Sequence, residues 1–418
     1  MTRRRFASAL CAVAAALSVL SGCSSGGGAA APTAADVTKL LARRDAAVAA
    51  RSQSAFLADV DVATAAFRTR ETQTFQALAQ LPLQTWHESI SAPVTDPQST
   101  AAAAKRYGAP ALIVHVQVRY QLRGVDPIPS SHDVWWTFLR RHGHVLIAGD
   151  DDLAHFGGAS WQAPWDFGPL TVATGVSSVV LAPQSDAGQA TALAADADRA
   201  VAAVSRVWTA PWPRRVALVI ASSPAELSTF AASTVTADAS AVTVSDPRDP
   251  LTRQLPGLRI VLDPDHFDGL TTAGRDIVLR HEITHVATAP ATGQASPHWL
   301  VEGLAEYAAN LTSGIAVGRA AAELRAAMAR GHLPTALPPD AALQDAATAA
   351  ESYEQAWLAC RLIAQQAGQG GLVRFYRLVG ASASAPDAAV SSAMHSVLHE
   401  SSAQFTRRWR AYLLEQLT

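Results

Sequence analysis

The first folded part of the chain begins with apolar residues at helical spacing. Val37, Leu40, Leu41, Ala47 and Val48 recur three and four residues apart, which predicts an amphipathic helix over residues 36 to about 59. Arg43, Arg44 and Asp45 are assigned to the other, solvent-facing side of this helix.

Strand-like stretches follow the predicted helix. Apolar and polar residues alternate along residues 112–122, where Val114, Val116, Val118 and Tyr120 are expected on one face of a strand. Residues 83–90, 134–141 and 144–148 have a similar composition. A long helix followed by a curved antiparallel meander predicts an α+β cone.

A second domain is predicted after a junction rich in Trp and Pro, at Trp161, Pro164, Trp165 and Pro169. Short strands are expected over residues 170–174, 177–181, 215–221 and 258–263, with a helix over residues 191–208. From residue 271 to residue 417 the pattern is almost entirely helical. The second domain should therefore have a small sheet followed by a mainly helical body, and the whole chain should belong to the α+β class.

The first 23 residues have the pattern of a targeting segment. Arg3, Arg4 and Arg5 precede an apolar run of about 14 residues, which is short for a span of roughly 20. Residues 20–23, Leu-Ser-Gly-Cys, resemble a bacterial lipobox, which implies that Cys23 is diacylated and becomes the mature N-terminus. Residues 24–35 consist of Ser, Gly, Ala, Pro and Thr, and are expected to form a flexible tether.

The expected location is therefore the outer side of the cell membrane, held by a lipid anchor. Residues 2–6 also resemble a twin-arginine signal, so export by the twin-arginine route and by the general secretory route both remain open.

Length, charge and cysteine count limit the possibilities further. A chain of 418 residues is expected to form two domains. Lys and Arg total 33 against 35 Asp and Glu, which argues against a nucleic-acid partner. Cys11 would leave with the signal and Cys23 would carry lipid, so Cys360 is expected to be a small core residue and no disulfide is expected.

Residues 281–285, His-Glu-Ile-Thr-His, carry the strongest chemical pattern in the chain. Residues four apart share one face of a helix, so His281 and His285 can place two imidazole nitrogens on one metal ion. Glu282 lies about 100° further round the helix, where its carboxylate can reach a water molecule at the metal. The helix can begin at Thr271 or Thr272 and is stopped by Pro290.

A catalytic zinc needs a third protein ligand, and the metzincin pattern is absent because Thr288 and Ala291 replace its glycine and histidine. Residues 299–307 instead have the pattern W-L-x-E-G-x-A-E-Y, which resembles peptidase MA-like proteins of the gluzincin family. The resemblance implies that Glu302 is the third ligand of one Zn²⁺ per chain. It also implies that Glu306, one helical turn later, orients a ligand histidine.

Two further segments extend the resemblance over residues 165–418. Tyr353, in Ser-Tyr-Glu-Gln-Ala, resembles the catalytic tyrosine of gluzincin aminopeptidases, which stabilises the developing oxyanion. A tyrosine packed on a helix is the open alternative for this residue. Residues 402–413 resemble the closing helix of these domains. The Gly-Ala-Met-Glu-Asn motif of the aminopeptidases is absent, which argues against exopeptidase activity.

The first domain, residues 36–157, resembles the NTF2-like domains of exported bacterial proteins in its order of elements. Such a resemblance implies an α+β cone that can carry a ligand pocket, although no convergent polar residues in this sequence demand one.

Together these patterns predict an extracytoplasmic zinc peptidase, with a peptide or protein as substrate. Glu282 would activate water for hydrolysis and Tyr353 would assist it. The alternative is a catalytically inactive, metallopeptidase-like lipoprotein whose NTF2-like domain binds a ligand or an envelope partner. The oligomeric state is open.

Overall fold

The computed structural model describes residues 30–93, 96–231, 239–252 and 254–418. The predicted signal with Cys23, and residues 24–29 of the predicted tether, lie outside the described residues. The chain combines helices with two β-sheets, which confirms the predicted α+β class. Within the described ranges, no helix is both long enough and apolar enough to cross a bilayer.

The first part of the fold is a four-stranded antiparallel meander with four helices. Its strands lie in the order β1-β2-β3-β4. They are β1 (Leu83–Pro93), β2 (Ala111–Leu122), β3 (Ser130–Arg141) and β4 (His144–Gly149). The helices are α1 (Ala34–Ala49), α2 (Gln53–Ala58), α3 (Ala65–Gln80) and α4 (Pro97–Tyr107).

The pattern of the sequence predicted all four strands but only part of the helices. Thr33 caps α1 through a reciprocal pair of hydrogen bonds with Asp36, so this helix begins before residue 36. The single helix expected to about residue 59 is in fact two helices, because the chain turns between α1 and α2. The helices α3 and α4 were not predicted.

Arg44 on α1 corrects a second prediction. Instead of facing solvent it is 1% exposed, and its guanidinium donates to Glu88 at 3.0 Å and to Glu71 at 2.8 Å. It also lies 3.8 Å from the ring centroid of Phe56. The prediction was wrong because Arg44 occupies the same stripe as Leu40 and Leu41, and partners from α3 and β1 balance its charge.

The second part of the fold begins with a five-stranded sheet in the order β5-β6-β7-β9-β8. The three inner strands are parallel, and β5 and β8 are antiparallel edge strands. The strands are β5 (Leu170–Thr174), β6 (Ser178–Pro183), β7 (Val216–Ile220), β8 (Ala241–Val244) and β9 (Arg259–Leu262).

Helices make up the remainder of the second part, and those after residue 271 confirm the predicted helical body. Two lie between strands of the sheet, α5 (Ala187–Val207) and α6 (Pro224–Phe230), and α7 (Pro264–Phe267) comes directly after β9. Five follow directly: α8 (Thr272–Thr288), α9 (His298–Asn310), α10 (Val317–Ala320), α11 (Ala322–Ala329) and α12 (Asp340–Gln344). The chain closes with α13 (Ala349–Gly380), α14 (Pro386–Leu398) and α15 (Ser402–Leu417).

Both faces of the second sheet are buried, but against different partners. Val180, Leu218 and Ile260 belong to the core formed with the helices of the second part, which also contains Cys360. Val179, Leu181, Ala217 and Val219 instead join the core of the first part. Alternate residues of the same strands therefore bury apolar surface in the two parts of the chain.

An ion pair ties the two parts together beside this shared core. Arg259 on β9 donates to both carboxylate oxygens of Asp126, at 2.6 and 2.9 Å, and both side chains are largely buried. A bidentate arginine–carboxylate pair fixes orientation as well as distance, so it holds β9 beside the connection between β2 and β3.

Candidate metal centre

The helix α8 presents the two histidines of the candidate site on one face. Thr271 caps it by accepting a hydrogen bond from the Gly274 backbone at 3.1 Å, and the helix ends at Thr288, before Pro290. Leu279 and Ile283 are fully buried in the core. Because the side of the helix with Leu279 and Ile283 is buried, the face that carries His281 and His285 is directed towards a cleft.

Three side chains converge in this cleft. The Nε2 atoms of His281 and His285 lie 3.0 Å apart, and each is 3.3 Å from Oε2 of Glu302. Tetrahedral zinc with ligand bonds of about 2.0–2.1 Å requires ligand atoms roughly 3.3 Å apart. The two imidazoles and one carboxylate therefore fit a zinc ion both in chemistry and in spacing.

The helices α9, which carries Glu302, and α13, which carries Tyr353, are in close contact. A Cβ atom added to Gly303 would overlap the backbone carbonyl of Ala356 and crowd Sγ of Cys360. The absence of a side chain at position 303 thus permits this approach. Glu302 on α9 and Tyr353 on α13 consequently line the same cleft.

Glu306 contacts the outer nitrogen of His281. Its Oε1 lies 3.1 Å from Nδ1 of His281, while Oε2 accepts a hydrogen bond from Asn310 at 2.8 Å. A hydrogen bond from Nδ1–H to Glu306 leaves the lone pair of Nε2 directed towards His285 and Glu302. This is the contact that the sequence resemblance implies for Glu306.

The charges of the site favour a cation. Burial opposes protonation of His281, but Glu302 and Glu306 raise the pKa of its imidazole well above 6.5. Burial likewise opposes ionisation of Glu302, yet His285 and His281 hold the pKa of its carboxyl well below the ordinary value. Two carboxylates around two imidazoles thus form a group that a positive charge stabilises.

Glu282 lies beside the three converging side chains. It is 8% exposed, and its Oε2 accepts a hydrogen bond from Oγ1 of Thr243 at 2.6 Å. Glu282 and Thr243 line the cleft together with His281 and His285, and the cleft has a volume of about 430 Å³. One carboxylate is therefore held at the site without being part of the converging group.

Tyr353 lines the cleft close to His281. Its ring centroid is 6.3 Å from that of His281. Burial, followed by the charges of Glu302 and Glu282, raises the pKa of its phenol well above 10. The hydroxyl thus stays protonated at neutral pH and can act as a hydrogen-bond donor.

Two residues of the cleft were missed by the sequence analysis. Thr243 belongs to β8, an edge strand of four residues that was not predicted. Arg248 also lines the cleft, where it donates to the backbone carbonyls of Ala289 and Thr292 at 3.2 Å. The only signal for β8 in the sequence was a pair of β-branched residues, Val242 and Val244, on either side of Thr243.

Comparison with known proteins adds no assignment to this geometry. No protein-family model matches the chain, and no curated protein matches it.

Truncation of Glu306 should weaken zinc binding. Removing a carboxylate that orients a ligand histidine typically costs about 10- to 100-fold in metal affinity, and we expect Glu306→Ala to fall in this range. Competition with a chromophoric zinc chelator measures the effect. The matched control is Glu323→Ala, which removes an exposed carboxylate on α11 outside the site. Equal zinc affinity in the wild type and in Glu306→Ala would exclude the orienting role.

Proposed function

We propose that this chain is a zinc-dependent peptidase of the gluzincin type, in which an NTF2-like domain precedes a peptidase MA-like domain. The observation that carries the proposal is the convergence of His281, His285 and Glu302 beside Glu282 in an open cleft. Three protein ligands of this kind leave a fourth position of zinc for water or substrate, as in catalytic rather than structural sites.

Each residue has a separate task in the proposed reaction. His281, His285 and Glu302 would hold the zinc, and the ion, when bound, would polarise the scissile carbonyl and acidify water. Glu282 accepts a proton from the attacking water and delivers it to the leaving amine. The hydroxyl of Thr243 orients the carboxylate of Glu282 for both transfers. Tyr353 donates a hydrogen bond to the oxygen that gains negative charge.

The edge strand β8 supports a peptide as the substrate. It pairs with β9 on one side, and within the described ranges no strand pairs with its other side. Ala241, Val242 and Thr243 of this strand line the same cleft as the candidate ligands. An extended peptide can add to such an edge through main-chain hydrogen bonds, which would carry its backbone past Glu282 and the metal.

We also propose an extracytoplasmic location for this activity. The support is the sequence of residues 1–23, with its basic start, apolar run and Leu-Ser-Gly-Cys end. Acylation of Cys23 would anchor the chain to the membrane, with the residues between Cys23 and the Thr33 cap of α1 as a tether. Mass spectrometry of the mature N-terminus would detect the diacylated cysteine.

Zinc content tests the proposed site directly. The full chain, purified in detergent without chelator, should contain about one zinc per chain by elemental analysis. His285→Ala should contain almost none, because two ligands cannot hold the ion against dialysis. Wild-type protein that binds no zinc even after zinc is added would refute the proposal.

The matched control for this experiment is His298→Ala. His298 begins α9 only four residues before Glu302, but its backbone N–H donates to Asp340 and its ring lies 3.3 Å from Gln344. It is not part of the converging group, so this variant should keep its zinc. A loss of zinc from His298→Ala equal to that from His285→Ala would instead point to a general effect of histidine removal.

A further inference from the structure

A second cavity lies between the two parts of the chain. It has a volume of about 470 Å³, within the range of sites that bind small organic groups. One wall comes from the first part and the junction, with Tyr120, His132, Trp161 and Trp165. The other wall is the face of the second sheet that carries Val219 and Val261.

The strand β8 separates this cavity from the catalytic cleft. Thr243 lines both spaces. It pairs with Ile260, whose side chain faces the helices, and it accordingly reaches Glu282. The next residue, Val244, pairs with Arg259 and lines the cavity. At this end of β8, Thr243 thus reaches the cleft and Val244 faces the cavity.

The side chains of a peptide added to the free edge of β8 would alternate between the two faces of the sheet. Side chains on one of its faces would point towards the helix α8, and those on the other face would continue the row formed by Arg259 and Val244. With a spacing of about 3.3 Å per residue, the side chain beside Val244 would lie within roughly two residues of the bond next to Glu282.

We propose that the interdomain cavity is the subsite that receives a bulky apolar or aromatic side chain of the peptide substrate. This inference rests on the proposed peptidase function and names the substrates that such an enzyme would select. The first part of the chain thereby forms one wall of the specificity pocket.

The chemistry of the walls favours an uncharged side chain. The Trp161 and His132 rings are stacked, with centroids 3.8 Å apart and planes 6° from parallel, and Tyr120 lies 6.0 Å from Trp161. The positive charge of Arg259 is already paired with Asp126. Asp246 also lines the cavity, with Oδ2 3.5 Å from Nε2 of His132, so an acidic substrate side chain would lose its hydration beside a like charge. An aromatic ring would instead bury apolar area against the other rings.

Thr229→Trp tests this subsite. Thr229 is an exposed residue of α6 that lines the cavity, so a tryptophan at this position would fill part of the space. Ser228→Trp is the matched control: Ser228 is the adjacent exposed residue and does not line the cavity. Both hydroxyls bond to the carbonyl four residues earlier at 2.9 Å, so each change removes the same local contact.

The zinc-loaded full chain should be assayed against a peptide library with every position varied. Wild type and Ser228→Trp should prefer Phe, Trp, Leu or Met at one fixed position near the cleaved bond. In Thr229→Trp, kcat/KM for peptides with Phe at that position should fall about 10-fold or more, while peptides with Ala there should be cleaved as before.

The results separate this inference from the function on which it rests. Hydrolysis of no library peptide by the zinc-loaded wild type would refute the peptidase itself. Hydrolysis without an apolar preference, or with a preference that Thr229→Trp leaves unchanged, would overturn the subsite and leave the peptidase proposal intact.

Discussion

Replacing Glu282 by glutamine should leave zinc bound and reduce peptide hydrolysis by about 10²- to 10⁴-fold, the usual contribution of a positioned general base. Glutamine has the same shape and can still accept the hydrogen bond from Thr243, but it cannot take a proton from water. Because Glu282 is not one of the three converging side chains, the zinc content should be unchanged.

Elemental analysis and the rate of peptide cleavage, measured on the same preparation, check both parts of this result. Asp276→Asn is the matched control, since it removes a carboxylate from α8 that pairs with Arg280 of the same helix. Full activity of zinc-loaded Glu282→Gln would exclude Glu282 as the base.

Replacing Arg44 by methionine should destabilise the protein by about 3–5 kcal/mol, the typical cost of removing one partner from a buried ion group. The change leaves Glu71 and Glu88 buried, at 7% and 2% exposure, without the cation that they share. Urea unfolding, followed through the midpoint and slope of the transition, measures the loss.

The loss should also depend on pH. Burial raises the pKa of Glu88 to about 7 even though Arg44 lowers it. Without Arg44 this pKa rises further. At acidic pH Glu88 is protonated in both proteins, so its charge does not destabilise either of them. Above pH 7 Glu88 ionises readily only in the wild type, and in the variant its ionisation lowers the free energy of unfolding further. The difference in the free energy of unfolding between wild type and Arg44→Met should thus increase as the pH rises past 7.

Lys39→Met is the matched control, because Lys39 is an exposed residue of the same helix. Exposed substitutions usually change stability by less than about 0.5 kcal/mol. An Arg44→Met variant as stable as Lys39→Met would show that the buried ion group contributes little to the fold.

The part of the candidate site that lies on α8 follows from local rules, so its geometry can be predicted from the sequence. His281, Glu282 and His285 are fixed relative to one another by the geometry of one helix. Glu302 and Glu306 depend on a second helix, and only the resemblance to gluzincins connected them to α8. Their actual approach depends on Gly303 and on α13, which no local pattern specifies.

The parts that were missed depend on contacts distant in the sequence. Arg44 lies on the apolar stripe of α1, at the spacing of Leu40, Leu41 and Val48, and this could have indicated burial. Its carboxylate partners, however, are 27 and 44 residues away. The strand β8 is short, and its position is set by pairing with β9 and by the hydrogen bond from Thr243 to the Glu282 carbonyl. Its composition alone therefore does not predict it.

The double burial of the second sheet has a consequence for how such chains can be recombined. The first part of the chain covers one face of the second sheet, and its core buries Val179, Leu181, Ala217 and Val219 of that face. The first part is therefore an outer layer of the second. Neither part is therefore an interchangeable module. A chimera that joined the second part of this chain to an unrelated domain would need new apolar residues to cover β6 and β7 and a new carboxylate to pair with Arg259.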